Sequence, residues 1–86
     1  MMDFSNALSR IKAGEKMTRV GWNGKGMYVF MLDKHALPDA HKNKNVVDFT
    51  KYKTQPFLVL KTAQETLVPW LVSQADLFAE DWIVIR

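Results

Sequence analysis

Two short stretches of the chain each place a tryptophan beside polar side chains that can form hydrogen bonds. The first is Gly21-Trp-Asn-Gly-Lys25, and the second is Pro69-Trp-Leu-Val-Ser-Gln-Ala-Asp76. An indole ring offers a flat apolar surface, and amide, hydroxyl or carboxylate groups beside it can bind the edge of a flat molecule. Stacking of a nucleic-acid base on an aromatic ring contributes ~1–3 kcal/mol. The two stretches therefore predict a binding site for a planar, polar ligand.

A structural role explains the second stretch equally well. Ser73 is followed three residues later by Asp76, a capping box that satisfies free backbone N–H groups at the start of a helix. Trp70 and Trp82 would then fill the core, since a small domain needs its aromatic side chains for burial. These residues alone leave both interpretations open.

Signatures of catalysis and of metal binding are absent from the sequence. It has no Cys, no G-x-S-x-G and no H-E-x-x-H, which excludes disulfides and zinc–thiolate sites. His35 and His41 lack a third ligand at metal spacing, as is typical of a surface pair. Glu80 and Asp81 are adjacent and do not face one another, so we expect them to be solvated or capping. The glycines at 21–26 join two predicted strands, whereas phosphate loops lead from strand to helix. We expect no enzymatic activity, no metal and no cofactor.

Composition limits the class of protein further. The 86 residues make one domain, 1–86, with 48% hydrophobic and 24% charged residues, as is usual for a folded soluble domain. The net charge of +3 is too small to indicate nucleic acid by itself, but it suits an anionic small ligand. No apolar run approaches the ~20 residues of a membrane span, and no signal peptide is visible. We expect a cytoplasmic protein, and a core this small favours a homo-oligomer.

A helix and five short strands are predicted to position the two tryptophan turns. Asp3 is the expected N-cap, and an apolar stripe follows it at helical spacing: Phe4, Ala7, Leu8 and Ile11. The predicted strands are 17–20, 27–32, 57–61, 66–70 and 82–85, with a helical turn at 73–79. Pro69 lacks an N–H, so we expect its strand to lie at an edge or to be interrupted there. The expected fold class is α+β, with the N-terminal helix packed on a small antiparallel sheet whose sequential strands are neighbours.

The segment 33–55 interrupts this pattern. It carries five of the lysines, broken up by Pro38 and two Asn, and it is predicted to be an exposed insertion. Such a segment is either functional or a solvated loop. If it is functional, the alternative class is a small basic module that binds nucleic acid or protein through these lysines. Binding of that kind would fall steeply with salt.

Four motifs occur in a specific order along the chain: Asp3-Phe-Ser-Asn-Ala-Leu8, Gly21-Trp-Asn-Gly-Lys-Gly-Met27, Val68-Pro-Trp-Leu-Val-Ser-Gln-Ala-Asp-Leu77 and Ala79-Glu-Asp-Trp82. Together they resemble the Thoeris anti-defence type-two (sponge) family, small phage and bacterial proteins formerly classed as a domain of unknown function. The resemblance implies a non-enzymatic protein that sequesters cyclic nucleotide-type immune signals, either cyclic ADP-ribose isomers or cyclic dinucleotides. It further implies a homo-oligomer, a tetramer, with pockets between subunits.

The motifs also indicate which side chains contact the ligand. Trp22 and Asn23 match the first turn of the family, and Trp70, Ser73, Gln74 and Asp76 match the second. A nucleotide-like ligand has a base that could stack on an indole, a base edge for the amides or Asp76, and phosphates for Lys25 or Arg19. The predicted ligand-binding residues are Trp22, Asn23, Lys25, Trp70, Ser73, Gln74 and Asp76. The lysine-rich insertion has no matching motif, which leaves the choice of ligand open.

Overall fold

The structure, a computed structural model, describes residues 1–33 and 55–86. The predicted insertion at 33–55, with His35 and His41, lies outside the described residues except for its two ends. The described elements are α1 (Phe4–Lys12), β1 (Lys16–Arg19), β2 (Tyr28–Leu32), β3 (Phe57–Lys61), β4 (Leu67–Pro69), α2 (Gln74–Leu77) and β5 (Trp82–Ile85). The predicted α+β class, with an N-terminal helix and a five-stranded antiparallel sheet, is confirmed.

The helix α1 forms where the sequence predicts it. Asp3 is the N-cap, and its Oδ1 accepts a hydrogen bond of 2.9 Å from the backbone N–H of Asn6. This satisfies one of the free donors at the helix start. Gly14 follows the helix with a φ of 96°, a left-handed conformation that glycine adopts without strain. The apolar stripe faces β1, β2 and β5.

The strand order across the sheet is β4-β3-β2-β1-β5, and every pair is antiparallel. The first four strands lie beside their sequence neighbours, as expected, and β4, which ends at Pro69, is at an edge. The last strand departs from the expectation, because β5 pairs with β1 and not with β4. Its register sets Trp82 opposite Arg19. The residues just before β5 are thereby brought beside the end of β1.

The core lies between α1 and one face of the sheet. Its buried side chains are Phe4, Ala7, Ile11, Met17, Val29 and Trp82. Trp82 is fully buried, so the structural interpretation is correct for that tryptophan. Trp22 and Trp70 pack against this core but are only partly buried. Within residues 1–33 and 55–86, no helix is long and apolar enough to cross a bilayer.

Candidate functional site

Three tryptophans meet at the end of the sheet where β1 ends and β5 begins. The ring centroids of Trp22 and Trp70 lie 6.1 Å apart, and those of both rings lie within 6.1 Å of Trp82. All three pairs are edge-to-face, an arrangement that the charge distribution of aromatic rings favours. The two predicted turns are therefore adjacent in the fold. The buried Trp82 supports two indoles that each keep part of their surface in contact with solvent.

The short helix α2 begins with the predicted capping box. The Ser73 Oγ accepts a hydrogen bond of 3.1 Å from the backbone N–H of Asp76, and the same hydroxyl donates to Asp76 Oδ2 at 2.9 Å. The cap satisfies a free donor of a helix that is only one turn long. A helix this short has little intrinsic stability, so its position depends on what it contacts.

Asp76 holds α2 against the rest of the site. Its Oδ1 accepts hydrogen bonds from Trp22 Nε1 at 2.9 Å and from Arg19 Nη1 at 2.7 Å. Its backbone carbonyl accepts a third bond, of 3.1 Å, from Trp82 Nε1. Asp76, which is predicted to contact the ligand, therefore also joins two indoles and an arginine. Its role as a ligand contact stays a prediction, but both carboxylate oxygens are already engaged within the chain.

Asp81 completes a network around Arg19. The Arg19 Nε donates to Asp81 Oδ1 at 2.7 Å, and Nη2 lies 3.5 Å from Asp81 Oδ2. The same Oδ2 accepts the backbone N–H of Gly21 at 2.8 Å. A Cβ added at Gly21 would lie 2.9 Å from that oxygen, so the close approach depends on glycine. The start of the first turn is thus fixed to the residue that precedes β5.

The hydrogen bonds of this network keep its three ionisable groups charged. Burial alone would raise the pKa of Asp76, but hydrogen bonds from Trp22, Arg19 and Ser73 outweigh it and lower that pKa. The bond from Arg19 is the main cause that lowers the pKa of Asp81. Bonds to Asp81 and Asp76 raise the pKa of Arg19 above its ordinary value. One positive charge is therefore surrounded by two negative charges at neutral pH.

The other predicted contacts are exposed. Among the described residues, the side chains of Asn23, Lys25 and Gln74 form no hydrogen bond or ion pair with one another or with the rest of the fold. They are free to meet a ligand, and no contact within the chain fixes their orientation. The structure therefore brings Trp22, Trp70, Ser73 and Asp76 together, and leaves the remaining three predicted residues at the surface around them.

Sequence reasoning missed the contribution of Asp81. We expected Asp81 to be solvated or capping, but its carboxylate is paired with Arg19 and with the backbone of Gly21. The pairing depends on β5 lying beside β1, and no local pattern indicates that neighbour. The one available signal is that Asp81 directly precedes the apolar strand Trp82–Ile85. This signal does not predict which residue the carboxylate pairs with.

A cleft of about 420 Å³ opens between the start of α1 and the end of α2. Phe4 and Phe78 line it, and so do the acidic Asp3 and Glu80. Two carboxylates beside an apolar surface disfavour a ligand that carries phosphates, so this cleft is a poorer candidate than the tryptophan pair. The described part of the chain contains no group of three His, Asp or Glu that could hold a metal ion.

Comparison with known proteins bears on the whole chain. A family model described as the Thoeris anti-defense 2-like domain matches residues 2–85. The chain is also similar to a curated protein named Thoeris anti-defense 2, from Bacillus phage SP01, with 34% identity over 88 aligned positions. The alignment covers 98% of this chain and 94% of the phage protein. Both turns of the candidate site fall within the matched region.

Proposed function

The chain belongs to the Thoeris anti-defense 2-like family, and we propose that it counters Thoeris by sequestering a cyclic nucleotide-type immune signal in the cytoplasm. Membership of the family supports an anti-defence role against Thoeris. In the proposed mechanism the protein binds the signal without turning it over. The free concentration of the signal falls, and the defence effector is not activated. The cyclic ADP-ribose isomers that the sequence resemblance implies are the first candidates, and cyclic dinucleotides are the second.

The observation that carries this proposal is the pair of partly exposed indoles, Trp22 and Trp70, whose ring centroids are 6.1 Å apart. Both rings pack on Trp82, and together they make an apolar surface of the kind on which a base stacks. Amide groups of Asn23 and Gln74 lie on the same two turns and are exposed. An amide can both donate and accept hydrogen bonds, which suits the mixed edge of a purine.

Charge indicates how the ligand is oriented. The network of Arg19, Asp76 and Asp81 contains one more negative than positive charge, so a phosphate placed against it would be repelled. Lys25 is exposed and has no ion-pair partner among the described residues. We therefore place the base towards α2 and the phosphates towards Lys25 on the first turn.

The test is recovery of the ligand in its original form. Purified protein is mixed with cyclic ADP-ribose isomers, cyclic dinucleotides and linear ADP-ribose, freed of unbound ligand by filtration, and then heated. We expect mass spectrometry to find a cyclic ADP-ribose isomer, intact, in amounts well above the linear control. Recovery of none of the cyclic compounds would contradict the proposal, and recovery of a hydrolysed product would point to an enzyme.

Trp22→Ala and Trp70→Ala serve as the matched variants in this test. Loss of one stacking surface is worth ~1–3 kcal/mol, or about ten- to a hundredfold in affinity. Both residues are only partly buried, so each variant should lose more in binding than in its free energy of unfolding, measured in urea on the same samples. A variant that binds normally would remove its tryptophan from the proposed site.

We also propose that the protein is a homo-oligomer, with a tetramer as the expected form. The support is the apolar surface around α2, where Leu71 is 92% exposed and Phe78 is 76% exposed. Large apolar side chains as exposed as these are common at protein contact surfaces. Because both residues flank the turn that carries Ser73, Gln74 and Asp76, a subunit contact there would adjoin the candidate site.

Sedimentation equilibrium is expected to give roughly four times the chain mass of 9.9 kDa. Leu71→Asp should lower that mass, because a buried unpaired carboxylate opposes association. Leu67→Asp is the control, since Leu67 is 61% exposed on the edge strand β4. A wild-type mass of a single chain at micromolar concentration would refute the oligomer. Dissociation by Leu67→Asp alone would move the contact to the β4 edge.

A further inference from the structure

The turn that carries Trp22 is attached to the rest of the site through Arg19. The backbone N–H of Trp22 donates to the carbonyl of Arg19 at 3.2 Å, so the indole begins next to the end of β1. The indole N–H donates to Asp76 Oδ1, the same oxygen that accepts from Arg19 Nη1. In addition to its packing on Trp82, the ring is therefore held by a carboxylate, and the guanidinium binds that same carboxylate oxygen.

Besides Arg19, Asp76 is held by the Ser73 cap, by the Trp22 indole and by the bond from Trp82 Nε1 to its carbonyl. It lies on a four-residue helix that has no fully buried side chain, and the chain on either side of that helix includes the exposed Leu71 and Phe78. Arg19, in contrast, lies on a strand paired on both sides and its side chain is only 20% exposed. Arg19 therefore lies on the more extensively paired element, and Asp76 lies on the shorter and more exposed one.

Arg19 directs its donors at carboxylates of the chain itself. Nε and Nη2 face Asp81, and Nη1 faces Asp76. Two carboxylates already surround its one positive charge, so little attraction remains for an incoming phosphate. This differs from the phosphate contact that the sequence predicts as one possibility for Arg19.

We propose that Arg19 is a positioning residue, which clamps Asp76 and Asp81 and so presets the Trp22 ring for the ligand without touching it. The nature of the ligand rests on the proposed function. The positioning of the Trp22 ring by Arg19 can be tested without any ligand. A planar guanidinium can satisfy both carboxylates at once, and an ammonium group cannot reproduce that geometry.

Preorganisation gives the expected size of the effect. The first turn contains Gly21, Gly24 and Gly26, so without the clamp we expect Trp22 to leave its present orientation for much of the time. The apparent dissociation constant rises in inverse proportion to the fraction of molecules that are ready to bind. If that fraction falls to about a tenth, affinity falls about tenfold.

A substitution at Gly21 disturbs the contact of Arg19 with Asp81 without changing any charge. A Cβ added at this position would lie 2.9 Å from Asp81 Oδ2 and 3.4 Å from Arg19 Nη2. Both neighbouring atoms are the ends of side chains. We therefore expect Gly21→Ala to displace the side chains of Asp81 and Arg19 and to leave the backbone in place. The variant should therefore fold, and it should reproduce the loss seen on changing Arg19.

The experiment compares Arg19→Lys, Arg19→Gln and Gly21→Ala with wild type, and Arg10→Gln is the control because Arg10 pairs with Glu15 at the exposed end of α1. The first measurement is made without ligand. In ¹H–¹⁵N spectra, with the Trp22 indole resonance assigned through Trp22→Phe, we expect that resonance to shift and its hydrogen to exchange faster in all three variants. The control should match wild type.

The second measurement is the affinity for a cyclic ADP-ribose isomer retained by wild type. We expect about a tenfold loss in the three variants, with no rescue by Arg19→Lys. An unmoved Trp22 indole overturns the proposal. Weaker binding with an unmoved indole makes Arg19 a direct contact, and a moved indole with unchanged affinity shows that its orientation is irrelevant. If wild type retains no compound, the proposed function is contradicted. The ligand-free spectra still show whether Arg19 positions the Trp22 indole.

Discussion

Replacing Trp82 with alanine is expected to lower the free energy of unfolding by about 3–5 kcal/mol. The side chain is fully buried, and its ring lies 5.4 Å from Phe4 and 5.3 Å from Trp22. Alanine would leave a cavity at the centre of the only core that joins α1 to the sheet in the described residues. It would also leave the carbonyl of Asp76 without its indole donor.

Urea unfolding followed by circular dichroism measures this loss, and Trp82→Phe provides the matched control. Phenylalanine keeps most of the ring contacts and removes the N–H donor, so its loss should be clearly smaller than that of alanine. Both variants lack the donor to Asp76, so the difference between them measures the packing of the ring. An alanine variant as stable as wild type would show that the described core is not the one that holds the fold together.

Removal of the Asp76 side chain is expected to have the second largest effect. Asp76→Ala should cost about 3 kcal/mol of stability, the lower end of the range for breaking a buried ion pair, because the Asp76 and Arg19 side chains keep 14% and 20% exposure. The alanine leaves Trp22 Nε1 without an acceptor and removes one of the two carboxylates from Arg19. Asp76→Asn retains the shape and loses the charge, so its cost should be nearer 1.5 kcal/mol, about that of one hydrogen bond to a charged group.

The dependence on pH identifies the charge as the cause. Hydrogen bonds from Trp22, Arg19 and Ser73 hold the pKa of Asp76 below its value in the unfolded chain, which is ~3.9. Its contribution is therefore complete above that pH and is lost as the pH falls through the lower pKa of the folded protein. Below about pH 4, wild type should lose stability faster than Asp76→Asn. Parallel curves for the two proteins over that interval would rule out an ionised Asp76 as a stabilising group.

The parts of the fold that depend on neighbouring residues could be predicted from the sequence. The helix α1 was indicated by the cap at Asp3 and by the helical spacing of apolar residues, and the box at Ser73 marked the start of α2. Pro69 placed β4 at an edge for a reason confined to one residue, its missing N–H. In each case the signal lies within four residues of the feature that it predicts.

The candidate site was predicted in part, and the rest depended on distant residues. The two tryptophan turns were found from composition, but their adjacency requires β5 to cross to the far side of β1. The contacts that follow from this crossing, Arg19 with Asp81 and Trp22 with Asp76, join residues more than fifty positions apart. Pairings of that separation leave no periodic or spacing signal, and so Asp81 was not identified.

The pairing of β5 with β1 also determines when the site can exist during synthesis. The register joins Lys16 to Ile85, so the sheet cannot close until nearly all of these residues have left the ribosome. Arg19 and Trp22 are synthesised early, but their hydrogen bonds cannot form until Asp76 and Asp81 have been synthesised. We expect slow, late folding, as is usual for contacts of such sequence separation. We therefore expect the contacts of Arg19 and Trp22 with Asp76 and Asp81 to be absent from any nascent chain that lacks β5.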